Sequence, residues 1–309
     1  MPAQPDVPAA PGVSATSPTG VIHDIGYRNY AGVRLGRWQI TQALFLQSLR
    51  GAYGFGRSAK SKVFPIMLLS IMCLVAFIIA VIVAVGPSSG DLPLPYTRFA
   101  VVTQGVLTLF VAAQAPQSFS RDLRFKTVPL YFSRPMQRLD YVLAKYAALS
   151  VAVFALLAIP LLIMYVGALL GGLSFPTQTA DIALGLVGAV FFAFVLGGVG
   201  VVIASVTARR GFGVAGIITV LVLSYVTVVS LQGIIGETQG DRTTAAWLGL
   251  LSPITLVDGV QVRILDAETS AVIGPPPGFG GGATFFLVMV GLVAGCLGLL
   301  QLRYRKVAL

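Results

Sequence analysis

The sequence predicts an all-α membrane protein: six transmembrane helices, both termini cytosolic, an interfacial helix ahead of the first span, and re-entrant or short outer helices between spans five and six. Three observations predict this. Of 309 residues, 56% are hydrophobic and only 10% charged, against about 25% charged in a soluble domain, and the mean hydropathy is +0.87. Six stretches, at about 64–86, 99–119, 143–170, 182–206, 212–235 and 283–302, reach the roughly 20 apolar residues that cross a hydrocarbon core of about 30 Å. Lys145, at the edge of the third, is the one charged residue within those bounds. Finally, Lys and Arg crowd alternate connections. Counting Lys145 with the second-to-third loop, the segment before the first span, that loop, the fourth-to-fifth loop and the tail hold 18 of the 21, and the other side holds Arg98, Arg242 and Arg263 against seven acids. Basic loops stay on the cytoplasmic side. The net charge of +10 therefore reports topology and attraction to anionic lipid, and nucleic acid is not an expected partner.

Residues 1–26 read as a disordered cytosolic tail. The first twenty are rich in Pro, Ala, Ser and Thr and lack the basic n-region of a signal peptide. The single histidine, His23, lies there, so neither a histidine triad nor a histidine metal cluster is expected.

Residues 27–62 read as a cytosolic, interfacial amphipathic region. At 100° per residue Phe45 and Leu49 each fall within about 20° of Trp38, which predicts a helix with its apolar side in the headgroups. The same region contains GFGRSAKS at 54–61, one residue short of a phosphate-binding loop. Ala59 stands where that motif needs the glycine before the lysine. No bound cofactor is expected.

Residues 63–309 form the six-span domain. Pro160, midway along the third span, predicts a kink. Gly197, Gly198 and Gly200 on the fourth span, and Gly291 and Gly295 on the sixth, allow close helix approach, within one chain or between two. Cys73 and Cys296 both lie inside spans and read as packing residues. On the second span Thr103 and Gln114 are eleven positions apart, hence about 20° apart around the helix, with Gln104 and Thr108 on the neighbouring face. Thr219 and Ser230 on the fifth share that spacing, with Ser224 and Thr227 nearby. Such groups either line a path or bond to neighbouring helices.

The loop at 118–150 is basic and bent. Leu130, Tyr131 and Phe132 stand in a row within it, and an exposed apolar run calls for a bilayer or a partner protein. Between spans five and six, TAAWLGLLSPITLV at 244–257 is apolar but too short to cross, and Pro253 interrupts it. This predicts a re-entrant or surface-lying helix pair.

The loop carries D-x-R-x(5)-L-x-x-S-R-P-x-x-R-x-x-Y-x-x-x-K, on Asp122, Arg124, Leu130, Ser133, Arg134, Pro135, Arg138, Tyr141 and Lys145. That pattern resembles the loop after the second span in permeases of type-2 ABC exporters, and with the six spans and the interfacial helix the resemblance extends from about Trp38 onward. It implies a permease subunit in the plasma membrane, moving an amphipathic or lipid-like substrate outward. Its partners would be ABC ATP-binding subunits, which carry ATP and magnesium, a second permease, the same or similar, and membrane lipid. The resemblance makes Asp122, Arg124, Leu130, Tyr131, Arg134, Pro135 and Arg138 an ATPase-coupling loop, the helix pair before the last span an outer gate, and the polar rows on spans two and five the cargo cleft. The chain itself would not be an enzyme. The alternative is a non-transporting membrane scaffold that recruits a cytosolic partner.

Overall fold

The structure, a computed structural model, describes residues 32, 36–56, 58–86, 92–125, 130–131, 136–207, 209–238 and 240–307. The predicted tail at 1–26 and two of the predicted loop residues, Arg134 and Pro135, lie outside them. Everything below concerns the unit that begins at Leu35.

The described residues are helical, with no strand among them. An amphipathic helix α1 (Arg37–Ala52) leads through a tight turn into α2 (Ala59–Val85). There follow α3 (Tyr96–Val102), α4 (Gln104–Ser118), the short α5 (Ser120–Arg124), α6 (Arg138–Leu170) and α7 (Phe175–Val206). Next come α8 (Arg210–Ile218), a π-helical stretch at Thr219–Leu223, α9 (Ser224–Gln232) and a second π-helical stretch at Gly233–Thr238. The chain ends with α10 (Arg242–Leu248), α11 (Pro253–Ile264) and α12 (Phe279–Val307).

Five helices, counting Arg210–Gly236 as one, are long and apolar enough to cross a membrane, and two bent pairs bring the possible number to seven. The chain is thus a multi-pass membrane protein. The first bent pair, α3 and α4, breaks by 61° at Thr103, inside what the sequence presents as one continuous span. Thr103 Oγ1 donates to the Phe99 carbonyl at 2.7 Å, and such back-bonding bends helices. The second pair, Arg242–Leu251 and α11, bends by 118°, matching the expected helix pair. Pro253 opens α11, where a missing N–H leaves nothing unpaired. The Asp241 carboxylate caps α10 by accepting from the Thr244 amide at 3.0 Å, and those bonds hold it below the usual carboxylate range.

Among the five long helices α6 and α7 are the most buried, and α1, α2, α3, α4 and α12 pack against one or both of them. Close approach depends on small residues. A Cβ on Gly171 of α6 would come within 2.8 Å of Val83 on α2, and one on Gly197 of α7 within 2.8 Å of Ser150 on α6. Gly198 and Gly200 likewise face Cys296 and Val111, so the α7 glycines serve contacts within this chain. Gly291 and Gly295 on α12 meet nothing within 4 Å. α12 instead packs through a stripe of Phe285, Met289, Cys296, Leu300 and Tyr304, leaving its small-residue face outward. α6 runs unbroken through Pro160.

The expected apolar face of α1 is divided. Leu44 and Ala52 are buried against the bundle and Phe45 and Leu49 half-buried, while Trp38 stays 75% exposed. α6 lies alongside, and packing against a helix claims the stripe one step round from the one that the pattern suggests. The α1–α2 turn also accounts for the false phosphate motif. Gly54 and Gly56 both adopt positive φ, and a Cβ on Gly54 would meet the Ser61 carbonyl oxygen at 2.6 Å, so the glycines serve a reversal of the chain. Tyr53 pins this turn by donating to the Ala152 carbonyl at 2.7 Å, and burial pushes its phenol pKa up.

Candidate functional site

The site sits where α1, the end of α4, α5, the start of α6 and the ends of α7 and α12 meet. Ser120 Oγ donates to the Ala204 carbonyl near the end of α7 at 2.9 Å, and Arg138 Nη1 donates to the Arg305 carbonyl near the end of α12 at 3.3 Å. These contacts gather the predicted basic connections at one end of the bundle. Three other acids, Asp181, Asp266 and Glu268, line a separate cavity of about 300 Å³ beside Tyr96 and Gln178. Among the described residues no cluster of His, Cys, Asp and Glu has the arrangement to hold a metal ion.

α6 has 33 residues, about 50 Å at 1.5 Å per residue, so it outruns a hydrocarbon core of about 30 Å. Its first two turns extend the bundle at the basic end, and they carry the charges. Lys145 is 4% exposed and Asp122 7%. The two form an ion pair, Tyr141 Oη donates to Asp122 Oδ2 at 2.9 Å, and Lys145 Nζ donates to the Ser118 carbonyl at 2.7 Å. The ammonium also lies 4.9 Å from the Tyr141 ring and 5.4 Å from that of Phe119. Tyr304 of α12 and Tyr131 of the loop complete an aromatic casing, with ring centroids 5.2 Å and 5.4 Å from Tyr141. The buried pair thus ties α4 and α5 to α6, and its casing brings in the loop and α12.

A second tie holds α1. Arg37 Nε and Nη2 donate to the two oxygens of Asp140 at 2.6 and 2.7 Å, and Nη2 donates also to Gln137 Oε1 at 2.8 Å. Asp140 is already placed, because its Oδ2 accepts from the Gln137 amide at 3.0 Å and caps α6. The bond to Asp140 raises the Arg37 pKa further. This pair is exposed on the Arg37 side, and such pairs are screened by solvent. Arg37→Ala is expected to speed amide hydrogen exchange in α1 by less than about tenfold and to leave that of α6 and α7 unchanged. Faster exchange throughout the bundle, read by mass spectrometry, would show that the clamp holds far more than α1.

The predicted loop residues therefore divide by depth. Asp122 is buried and Tyr131 half-buried, Arg138 is half-buried and tied to α12, and Arg124 and Leu130 stand outward, Leu130 at 68% exposure. Phe125, beside Arg124, is 65% exposed. The predicted path residues differ in depth. Thr103, Thr108 and Gln114 are buried and Gln104 half-buried, whereas Thr219, Thr227 and Ser230 are exposed. Ser224, half-buried, donates to the Leu221 carbonyl at 3.3 Å. The residues that sequence reasoning missed are Arg37 with Asp140, Tyr304, and the Ser118 carbonyl. Gln137 and Asp140, three apart at a helix start, were the one local signal, since that spacing is a capping pattern. No protein-family model matches the chain, and no curated protein sequence matches it.

Proposed function

We propose that the chain is the transmembrane permease subunit of a type-2 ABC exporter in the plasma membrane, with six spans and both termini cytosolic. In this reading α3 and α4 form one broken span, the α10–α11 pair dips in from the outer side without crossing, and the basic end faces the cytosol. The permease works as a dimer with the same or a similar chain. Separate ATP-binding subunits hold ATP and magnesium, and the substrate is amphipathic or lipid-like.

What carries the reading is the fastening of the loop. It presents Arg124, Phe125 and Leu130 outward while a buried ion pair and its aromatic casing fix its base to α4, α6 and α12. A solvated connector needs no such anchorage. A push on the exposed tip is delivered to the start of α6, and through Arg37 and Asp140 to α1. In the proposed cycle, ATP binding closes two ATPase subunits, that motion reaches the spans through the loop, and hydrolysis resets it. The partner must supply the free energy, since an equilibrium shifts only by differential interaction with its two states.

Affinity purification of the chain from its native membrane tests this. An ATP-binding subunit is expected to accompany it, and the complex is expected to hydrolyse ATP. A folded chain accompanied only by a partner without ATPase activity would transfer the reading to the scaffold.

A further inference from the structure

A cleft of about 370 Å³ opens on the basic end between the start of α2, the last turns of α4 and the start of α8. Its polar end is formed by Lys60, Ser61, Gln114, Gln117 and Arg210, and its apolar wall by Phe64, Leu109, Val214 and Ile218 among others. Among the described residues no acid lines it, and neither Lys60 nor Arg210 is in an ion pair. We propose that this cleft binds the phosphate-bearing head group of an anionic phospholipid drawn from the adjoining leaflet.

Three independent features converge there. Lys60 and Arg210 supply two cations. α2 and α8 both begin at the cleft, at Ala59 and Arg210, and a helix N-terminus offers unpaired amides and the positive end of its dipole. The third feature is Gln114, which is 4% exposed and lines the cleft, yet its side-chain amide has no hydrogen-bond partner among the described residues. Its polar atoms are not sealed from the cleft, and the amide can donate to a phosphoester oxygen held by the two cations. A lipid suits the site better than a soluble anion, because the apolar wall continues onto exposed Phe64 and Leu109, the surface that acyl chains would cover. Gln114 and Gln117 also line a second cavity, of about 60 Å³, which Asp122 and Lys145 line as well. The two glutamines thus border both the cleft and the cavity beside the buried ion pair. The site needs only this chain and a bilayer, so it stands or falls apart from the transport reading.

The test is native mass spectrometry of the full chain in detergent, titrated separately with dioctanoyl phosphatidylglycerol, dioctanoyl phosphatidylcholine and inorganic phosphate. The chain is expected to retain phosphatidylglycerol at least about tenfold better than phosphatidylcholine, and to lose at least about tenfold of that retention in K60E/R210E, given the roughly tenfold to thirtyfold that two basic groups contribute at a membrane surface. K62E/R209E, an equal change of charge beside the cleft, is expected to stay within about twofold of the wild type. Gln114→Leu should weaken retention at unchanged net charge. Where K60E/R210E fails to fold, K60Q/R210Q gives the same reading. Equal losses in the two charge-reversed pairs would reduce the effect to diffuse attraction, and inorganic phosphate competing as well as the lipid would make the site one for a soluble anion. Either result overturns the proposal. Retention of lipid by a chain that recruits no ATPase would sink the exporter reading alone.

Discussion

Lys145→Met is expected to lower the stability of the solubilised protein by about 3–5 kcal/mol, the usual loss when one member of a buried ion pair is removed. The replacement keeps the unbranched stem and removes only the ammonium. Asp122 then loses its cation and the Ser118 carbonyl its donor, in a setting where both are nearly sealed from water. Removing both charges together should do far less harm, because apolar side chains of similar volume often replace a buried pair at little net loss. The double variant D122L/K145M is therefore expected to recover most of the stability lost in K145M, as read by denaturant-dependent unfolding in detergent. A loss below about 1 kcal/mol in K145M would mean that water reaches the pair and that the loop is not anchored there.

Phe125→Glu with Leu130→Glu is expected to abolish recovery of the ATP-binding subunit while leaving the unfolding midpoint within a few degrees of the wild type. Both side chains are more than half exposed, so their replacement removes little packing from the protein itself. Apolar anchors at the centre of an interface are each worth about 2 kcal/mol or more, roughly thirtyfold in affinity. Two acids in their place also weaken the positive field of a basic loop. The opposite behaviours of the two experiments separate anchor from tip: K145M should weaken the fold, and the loop pair should weaken only the partnership. An ATPase still recovered in full with F125E/L130E would move the docking surface elsewhere on the basic end.

Long apolar helices were legible because roughly 20 consecutive apolar residues have few other uses. Their ends were less so. α2 begins at Ala59, ahead of its hydropathy boundary, because a helix can continue into the interface with polar side chains once its core segment is held. The break at Thr103 left little trace, since threonine is unremarkable within an apolar run. The depth of the loop residues was not legible at all. Asp122 and Lys145 are 23 positions apart and Arg37 and Asp140 are 103 apart, and no local periodicity relates residues at such distances. The glycines show the same limit: Gly200 and Gly291 look alike in sequence, but one faces Val111 and the other meets nothing within 4 Å.

The π-helical stretch ahead of α9 breaks one regularity in the sequence. Eleven α-helical residues between Thr219 and Ser230 bring those side chains back to nearly the same azimuth, but the chain is π-helical from Thr219 to Leu223. A π turn absorbs roughly one extra residue relative to an α turn, which sets everything beyond it back by about 100°. The fifth apolar segment is therefore a helix with a built-in change of phase, and the direction in which Thr227 and Ser230 point depends on how many residues are wound as π. Rewinding Thr219–Leu223 as α-helix would swing those hydroxyls through about a quarter turn while breaking no more than one turn of backbone bonds.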